Sequence, residues 1–224
     1  MKKYIPYSDD TQDAIEDIMN CGRSYPINKQ KHVGVELECF LPRTITSERL
    51  VFEFLNSGID QGIDVKGDGS ISPPSGYRGH EIAITAPEKD IVKKVTKVCQ
   101  ILKKLKGGVN KTCGLHVHLD TRTRNKEAVY KTLVDKLPTL SKMVAKHRLT
   151  NRYCIPNQPQ IERVVNSYDP GYDEFDIEMG GKYNAINGCT EYNTVEVRLH
   201  EGTLDNKKIN KWIKTLTKIV NKAA

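Results

Sequence analysis

Apolar and polar residues alternate with a period of two in three separate segments, which is the pattern of a β-strand with one buried face. The segments are residues 33–40, 115–120 and 195–199. A further strand is predicted at residues 80–85, and the turn Asp68-Gly69-Ser70 separates it from a short apolar stretch at 63–66. Strands that alternate in this way are typical of an antiparallel sheet with one polar face.

Three other segments place apolar residues three or four positions apart, as amphipathic helices do. The clearest runs from Ile91 to Leu105 and is followed by the stop signal Gly107-Gly108. A second covers about residues 125–149 with a break at Pro138, and the third, residues 206–222, is predicted to pack against the core. Residues 1–31 form a polar lead-in, and residues 152–181 form a loop long enough to cover a functional site.

The chain therefore combines predicted strands, of a kind typical of an antiparallel sheet, with predicted helices. A chain of 224 residues, 38% hydrophobic and 28% charged, fits a single domain spanning residues 1–224. No apolar run approaches the roughly 20 residues that span a bilayer, and the first residues lack the apolar stretch of a secretory signal. A cytoplasmic location without a membrane partner is therefore predicted.

Cysteine spacing and net charge narrow the chemistry further. The six cysteines include no C-x-x-C pair, so we expect reduced thiols and neither a zinc ribbon nor a dithiol redox motif. The formal net charge of +7 would attract polyanions such as ATP or nucleic acid. Most lysines fall in the predicted helices, where solvated helix faces explain them.

Each of the three alternating strands carries charged or imidazole side chains on one face. Residues two apart on a strand point to the same side, so Glu36 shares a face with Glu38, and His116 with His118. The same alternation predicts a shared face for Glu196, Arg198 and His200 in the last strand. A solvated sheet face explains each pair taken alone, whereas three pairs of this kind favour a common site.

Several glutamates on one face repel one another unless a cation lies between them. Carboxylate oxygens with an imidazole suit Mg²⁺ or Mn²⁺ better than zinc, whose sites prefer cysteine and histidine. The strands therefore predict a divalent-metal site.

The chain resembles the amidoligase family in five elements that occur in the family's order. They are Gly34-Val35-Glu36-Leu37-Glu38, Asp68-Gly69-Ser70 with Glu81, Gly114-Leu115-His116-Val117-His118, Tyr183-Asn184-Ala185-Ile186-Asn187, and Glu196-Val197-Arg198 with Gly202-Thr203. This family is similar to glutamine synthetase and glutamate-cysteine ligase. The resemblance implies the α+β class: a glutamine-synthetase-like catalytic domain with a curved, mainly antiparallel sheet, helices on its outer face, and ATP and metal ions on the concave face.

The resemblance also implies the function and the roles of the matching residues. It implies a carboxylate-amine ligase that uses ATP and Mg²⁺ or Mn²⁺ to form an amide, as a peptide or isopeptide bond, through an acyl phosphate. The implied metal ligands are Glu36, Glu38, Glu81, His116 and Glu196. His116 and His118 are expected at the nucleotide, and Arg198 at the transferred phosphoryl group, so Arg198 and His118 are the candidate catalytic residues.

Two cations of the predicted loop, Arg152 and Lys182, are further candidates for binding ATP. Asp68 and Ser70 are explained by the turn they form, because Asp-Gly is a common turn sequence, although the matching element leaves a direct role open. His200 stands where the family usually has an apolar residue, and it either adjusts the choice of substrate or is solvated.

Two other functions remain open at this point. A metal-dependent hydrolase uses a similar set of carboxylates and imidazoles to activate water, and a non-catalytic basic protein binds nucleic acid through its net charge alone. A ligase whose acceptor is large, such as a protein tail, a peptidoglycan peptide or a modified nucleic acid, is a third possibility.

Overall fold

The structure is a computed structural model that describes residues 30–157, 181–188 and 192–223. Nearly all of the lead-in predicted at residues 1–31 lies outside the described residues. The same holds for the middle of the loop predicted at residues 152–181.

The described residues form six strands and four α-helices. The strands are β1 (His32–Pro42), β2 (Ile63–Gly67), β3 (Tyr77–Pro87), β4 (Gly114–Asp120), β5 (Ile186–Asn187) and β6 (Thr194–Glu201). The helices are α1 (Ser47–Asn56), α2 (Ile91–Lys104), α3 (Lys126–Leu140) and α4 (Asn206–Ala223). Two short 3₁₀ turns, Ser141–Met143 and Lys146–Thr150, follow α3.

All six strands belong to one curved antiparallel sheet in the order β2-β3-β1-β4-β6-β5. Alternate residues of the central strands point to opposite faces. Val35, Leu37, Val117 and Val197 are buried on one face and join the apolar residues of the helices in a single core. The predicted α+β class, with helices on one side of an antiparallel sheet, is confirmed for the described residues.

One helix differs in detail from the prediction. Pro138 does not break α3, because it lies in the last turn of a helix that continues to Leu140. The remainder of the segment predicted as helical forms the two 3₁₀ turns. Helix α4 buries Ile209, Trp212 and Leu216, and its lysines are exposed.

The prediction that His200 shares a face with Glu196 and Arg198 is wrong. Val117 pairs with Val197, but Leu115 pairs with His200, so β6 contains one extra residue across this interval. Such a β-bulge reverses the alternation beyond it. His200 therefore points into the core, where its ring centroid lies 5.2 Å from that of Trp212, and Glu201 pairs with Gly114.

We expect Leu102→Ala to lower the free energy of unfolding by about 2–5 kcal/mol, the usual cost of truncating a buried leucine. Leu102 lies on α2 and is fully buried against the sheet. Urea denaturation followed by circular dichroism measures this change. Met143→Ala is the control, because Met143 is 38% exposed, and exposed positions usually change stability by less than about 0.5 kcal/mol. Equal effects of the two variants would contradict the assignment of α2 to the core.

None of the described helices is both long enough and apolar enough to cross a bilayer.

Candidate active site

The register of the four central strands brings the predicted site residues together on the face opposite the helices. Glu36 of β1 pairs with His116 of β4, and Glu38 pairs with Glu81 of β3. His118 of β4 pairs with Glu196 of β6. Residues that were predicted only to share faces within single strands therefore form one continuous cluster across the sheet.

A first group of possible metal ligands consists of Glu36, His118 and Glu196. One ligand atom from each of the three side chains lies within 4.8 Å of the other two. His118 Nε2 is 3.1 Å from Glu36 Oε1 and 3.7 Å from Glu196 Oε1. The other ring nitrogen of His118 lies 3.1 Å from Thr194 Oγ1, and a contact of this kind orients a ligating imidazole.

A second group consists of Glu38, Glu81 and Asp68, whose ligand atoms also lie within 4.8 Å of one another. Asp68 follows β2 and accepts hydrogen bonds of 2.7 Å from both the main-chain N–H and the hydroxyl of Ser70. Both bonds end on Asp68 Oδ1. The turn explanation of Asp68 is thus confirmed, and the same carboxylate also joins the predicted ligands Glu38 and Glu81.

His116 lies between the two groups. Its Nδ1 is 3.0 Å from Glu36 Oε2 and 3.5 Å from Glu196 Oε1, while its Nε2 is 3.4 Å from Glu38 Oε1. The ring is almost fully buried. His116 therefore contacts carboxylates of both groups.

The surroundings of Glu36 favour the ionised form that metal ions bind. Burial alone would raise the pKa of Glu36, but the charge of His118 and the hydrogen bonds from His116 and His118 outweigh it and hold the pKa well below its usual value. Burial would likewise lower the pKa of Arg198, but the carboxylates of Glu196 and Glu36 raise it above the ordinary value. Glu36, Glu196 and Arg198 thus form a network of opposite charges at a site that is largely shielded from bulk water.

The predicted residue Arg198 connects the cluster to a cavity of about 270 Å³. Its Nη1 donates a hydrogen bond of 2.6 Å to Glu196 Oε1, and its Nε donates one of 3.3 Å to the carbonyl oxygen of Tyr153. The cavity is lined by the second group of carboxylates together with His116 and four cationic side chains: Lys66, Arg148, Lys182 and Arg198.

The two loop cations that were predicted to bind ATP differ in position. Lys182 lines the cavity. Arg152 is exposed: its guanidinium carbon lies 4.7 Å from the centre of the Tyr153 ring, and its Nη2 donates to the hydroxyl of the same residue. Arg152 is not among the residues that line the cavity, so the structure does not bring it to the cluster.

Gly114 lies so close to the cluster that any side chain at this position would displace members of the cluster. A Cβ atom added to Gly114 would lie 2.8 Å from His116 Nε2, 3.1 Å from Arg148 Nη2 and 3.3 Å from Glu38 Oε2. The main-chain N–H of Gly114 donates a hydrogen bond of 2.6 Å to Glu38 Oε2. The glycine of the G-x-H-x-H element therefore leaves room for the site and orients one of its carboxylates.

Sequence reasoning missed two residues of the site. Asn187 was quoted only as part of a family element, yet its Nδ2 donates a hydrogen bond of 3.1 Å to Glu196 Oε2. Arg148 belongs to none of the family elements and lies near the end of the segment predicted as helical, where a basic residue is explained by a solvated helix face. It is nevertheless 2% exposed and lines the cavity.

The donor set fits divalent cations that prefer oxygen. The two groups and the histidine between them supply five carboxylates and two imidazoles, and no cysteine of the described residues belongs to either group. Such a set suits Mg²⁺ or Mn²⁺. The unfavourable proximity of several buried carboxylates is relieved when cations lie between them.

The fold and the cluster define a class of protein: an α+β domain with a carboxylate- and imidazole-rich site on the face of an antiparallel sheet opposite the helices. The family model described as "Putative amidoligase enzyme" matches residues 64–220. The chain therefore belongs to the amidoligase family. No curated protein was found to match the chain.

The family match begins at β2 and does not include β1. Glu36 and Glu38 of the E-x-E element therefore fall outside the matched residues. Their place in the site depends on the antiparallel pairing of β1 with β3 and β4, which sets Glu38 opposite Glu81 and Glu36 opposite His116.

Proposed function

We propose that the protein is a ligase that uses ATP and Mg²⁺ to join a carboxylate to an amine through an acyl phosphate. The observation that carries this proposal is the pairing of two groups of possible metal ligands with a cavity lined by cations. Membership of the amidoligase family supports the amide-forming reaction. We further propose that the sheet is the counterpart of the glutamine-synthetase sheet, with the nucleotide on its polar face.

A carboxylate does not react with an amine at neutral pH, because its oxygen is a very poor leaving group. Transfer of the γ-phosphoryl group of ATP to a carboxylate oxygen forms an acyl phosphate and releases ADP. The amine then attacks the acyl carbon, a C–N bond forms, the C–O bond to phosphate breaks, and the amine loses a proton. Phosphoryl transfer depends mainly on positioning and on neutralising spread negative charge.

The side chains of the site match these requirements. Glu36, His118 and Glu196 would hold one metal ion, and Glu38, Asp68 and Glu81 a second, with His116 between them. Bound metal ions supply charge neutralisation and a template for the phosphates and the substrate carboxylate. Arg198 and Lys182 would contact the phosphoryl oxygens, and the amine-bearing acceptor would be a small molecule, a peptide or a larger partner.

The test is to incubate the protein with ATP and Mg²⁺ in the presence of pooled carboxylic acids and amines. We expect phosphate release that depends on both an acid and an amine, together with an amide product detected by mass spectrometry. A chelator should abolish both signals. Hydrolysis of amide or ester substrates without ATP would instead support the metal-dependent hydrolase, and the proposed ligase function would be rejected.

A further inference from the structure

A buried guanidinium without a counter-ion lies at the wall of the cavity. Arg148 comes from the second 3₁₀ turn and is 2% exposed. Within the part of the chain that the structure describes, none of its nitrogens forms an ion pair with a carboxylate, and its Nε has no hydrogen-bond partner. Its Nη2 donates a hydrogen bond of 2.6 Å to the main-chain carbonyl oxygen of Arg198.

Burial of this charge without a counter-ion lowers the stability of the protein when no ligand is bound. An arginine side chain carries five N–H donors and stays charged, and a buried charge is normally paired or fully hydrogen-bonded. Arg198, the partly buried arginine of the site, has such a partner in Glu196. The partners of Arg148 are the carbonyl group of Arg198 and the thiol of Cys154, which is neutral because burial raises its pKa. An anion from outside the chain would supply the missing counter-ion.

The position of Arg148 indicates where this anion lies. A Cβ atom added to Gly114 would be within 3.3 Å of both Arg148 Nη2 and Glu38 Oε2, so the guanidinium borders the second group of carboxylates. Arg148, Arg198, Lys66 and Lys182 all line the same cavity. An anion there would face two guanidinium groups and would also lie beside the proposed metal site at Glu38, Asp68 and Glu81.

We propose that Arg148 binds an oxyanion group of a substrate in this cavity. The planar fork of donors on a guanidinium matches the oxygens of a carboxylate or a phosphoryl group. The identity of the oxyanion rests on the proposed function: it is either the phosphoryl group in transfer or the carboxylate that accepts it. Arg148 is a substrate-binding residue in either case.

Binding of inorganic phosphate and of acetate to the full chain tests the proposal without requiring turnover. The melting temperature of the protein is measured at increasing concentrations of each anion, at constant ionic strength, with and without Mg²⁺. A ligand that binds only the folded state raises this temperature. The variants are Arg148→Met and Arg148→Lys. Arg49→Met is the matched control, because Arg49 is an exposed arginine that pairs with Glu53 on α1.

We expect Arg148→Met to raise the apparent Kd of at least one anion by about 10- to 100-fold, the usual effect of losing a charge-assisted hydrogen bond. Arg148→Lys should bind with intermediate affinity, and Arg49→Met like the parent. The melting temperature without added anion shows whether each variant folds. Loss of the phosphate response alone assigns Arg148 to the phosphoryl group, and loss of the acetate response alone assigns it to the substrate carboxylate.

The proposal is overturned if the parent protein binds neither anion under either metal condition, or if Arg148→Met binds both as the parent does. Equal weakening by Arg49→Met would also overturn it, because only general surface charge would then be involved. Failure of the proposed function gives a different result from failure of this proposal. If anion binding depends on Arg148 but no ATP-dependent ligation is found, the anion site is supported and the proposed ligase function is rejected.

Discussion

We expect Glu36→Gln to lower the Mg²⁺-dependent affinity for ATP by at least about 100-fold. Replacing residues that only orient metal ligands typically costs 10- to 100-fold in metal affinity, so the loss of a direct ligand should cost no less. Glu36 contacts both imidazoles of the cluster, at 3.0 Å from His116 and 3.1 Å from His118. Its replacement therefore affects the first ligand group and the histidine between the groups at once.

Calorimetric titration of ATP, in the presence of Mg²⁺ or of a chelator, measures this effect. The parent protein should bind ATP tightly only with Mg²⁺ present, and Glu36→Gln should behave like the parent in chelator. Glu127→Gln is the control, because Glu127 is an exposed carboxylate paired with Lys131 on the surface of α3. The metal-bridged site is wrong if ATP binds equally well in chelator and Glu36→Gln leaves that binding unchanged.

Arg198→Lys should reduce turnover by about 100-fold while changing the affinity for ATP far less. Lysine keeps the positive charge but loses the planar fork of donors, and contacts that matter mainly in the transition state affect kcat. Loss of one such contact commonly costs about 10²- to 10³-fold. Arg198 is suited to this role because it links Glu196 of the first ligand group to the cavity.

The measurement is ATP-dependent amide formation with the first substrate pair that the screen identifies, alongside calorimetric affinity for ATP. Arg122→Lys is the matched control: it also keeps a charge and loses a guanidinium fork, here to Asp120 at distances of 2.6 and 2.9 Å. Arg122 is not among the residues that line the cavity. Equal turnover of Arg198→Lys and the parent would remove Arg198 from the mechanism.

Local patterns were sufficient to predict the secondary structure and the polar face of most strands. The alternation in β1 placed Glu36 and Glu38 opposite Leu37, and the helical spacing after Ile91 located α2, which ends at Lys104. Alternation and helical periodicity are properties of the chain over a few residues, so they can be recognised without knowing which elements are neighbours. The pairs that share strands, such as His116 and His118, followed from the same argument.

These local patterns did not predict the register between strands. Pairing of Glu38 with Glu81 and of His118 with Glu196 depends on which strands are adjacent and on how they slide past one another. The bulge in β6 illustrates the difficulty, since one extra residue turned His200 into the core and left Glu201 opposite Gly114. A one-residue shift moves every following side chain to the other face.

The sequence by itself determined which chemical groups lie on the polar face of each strand. Both the identity and the alternation of these residues can be read from consecutive positions. Only the tertiary structure decided the membership of the site. Asp68 belongs to a turn and Arg148 to a short 3₁₀ segment, and both reach the cluster because the sheet order and the packing behind it bring distant segments together. Contacts between residues far apart in sequence depend on the whole fold, whereas local periodicity describes one element at a time.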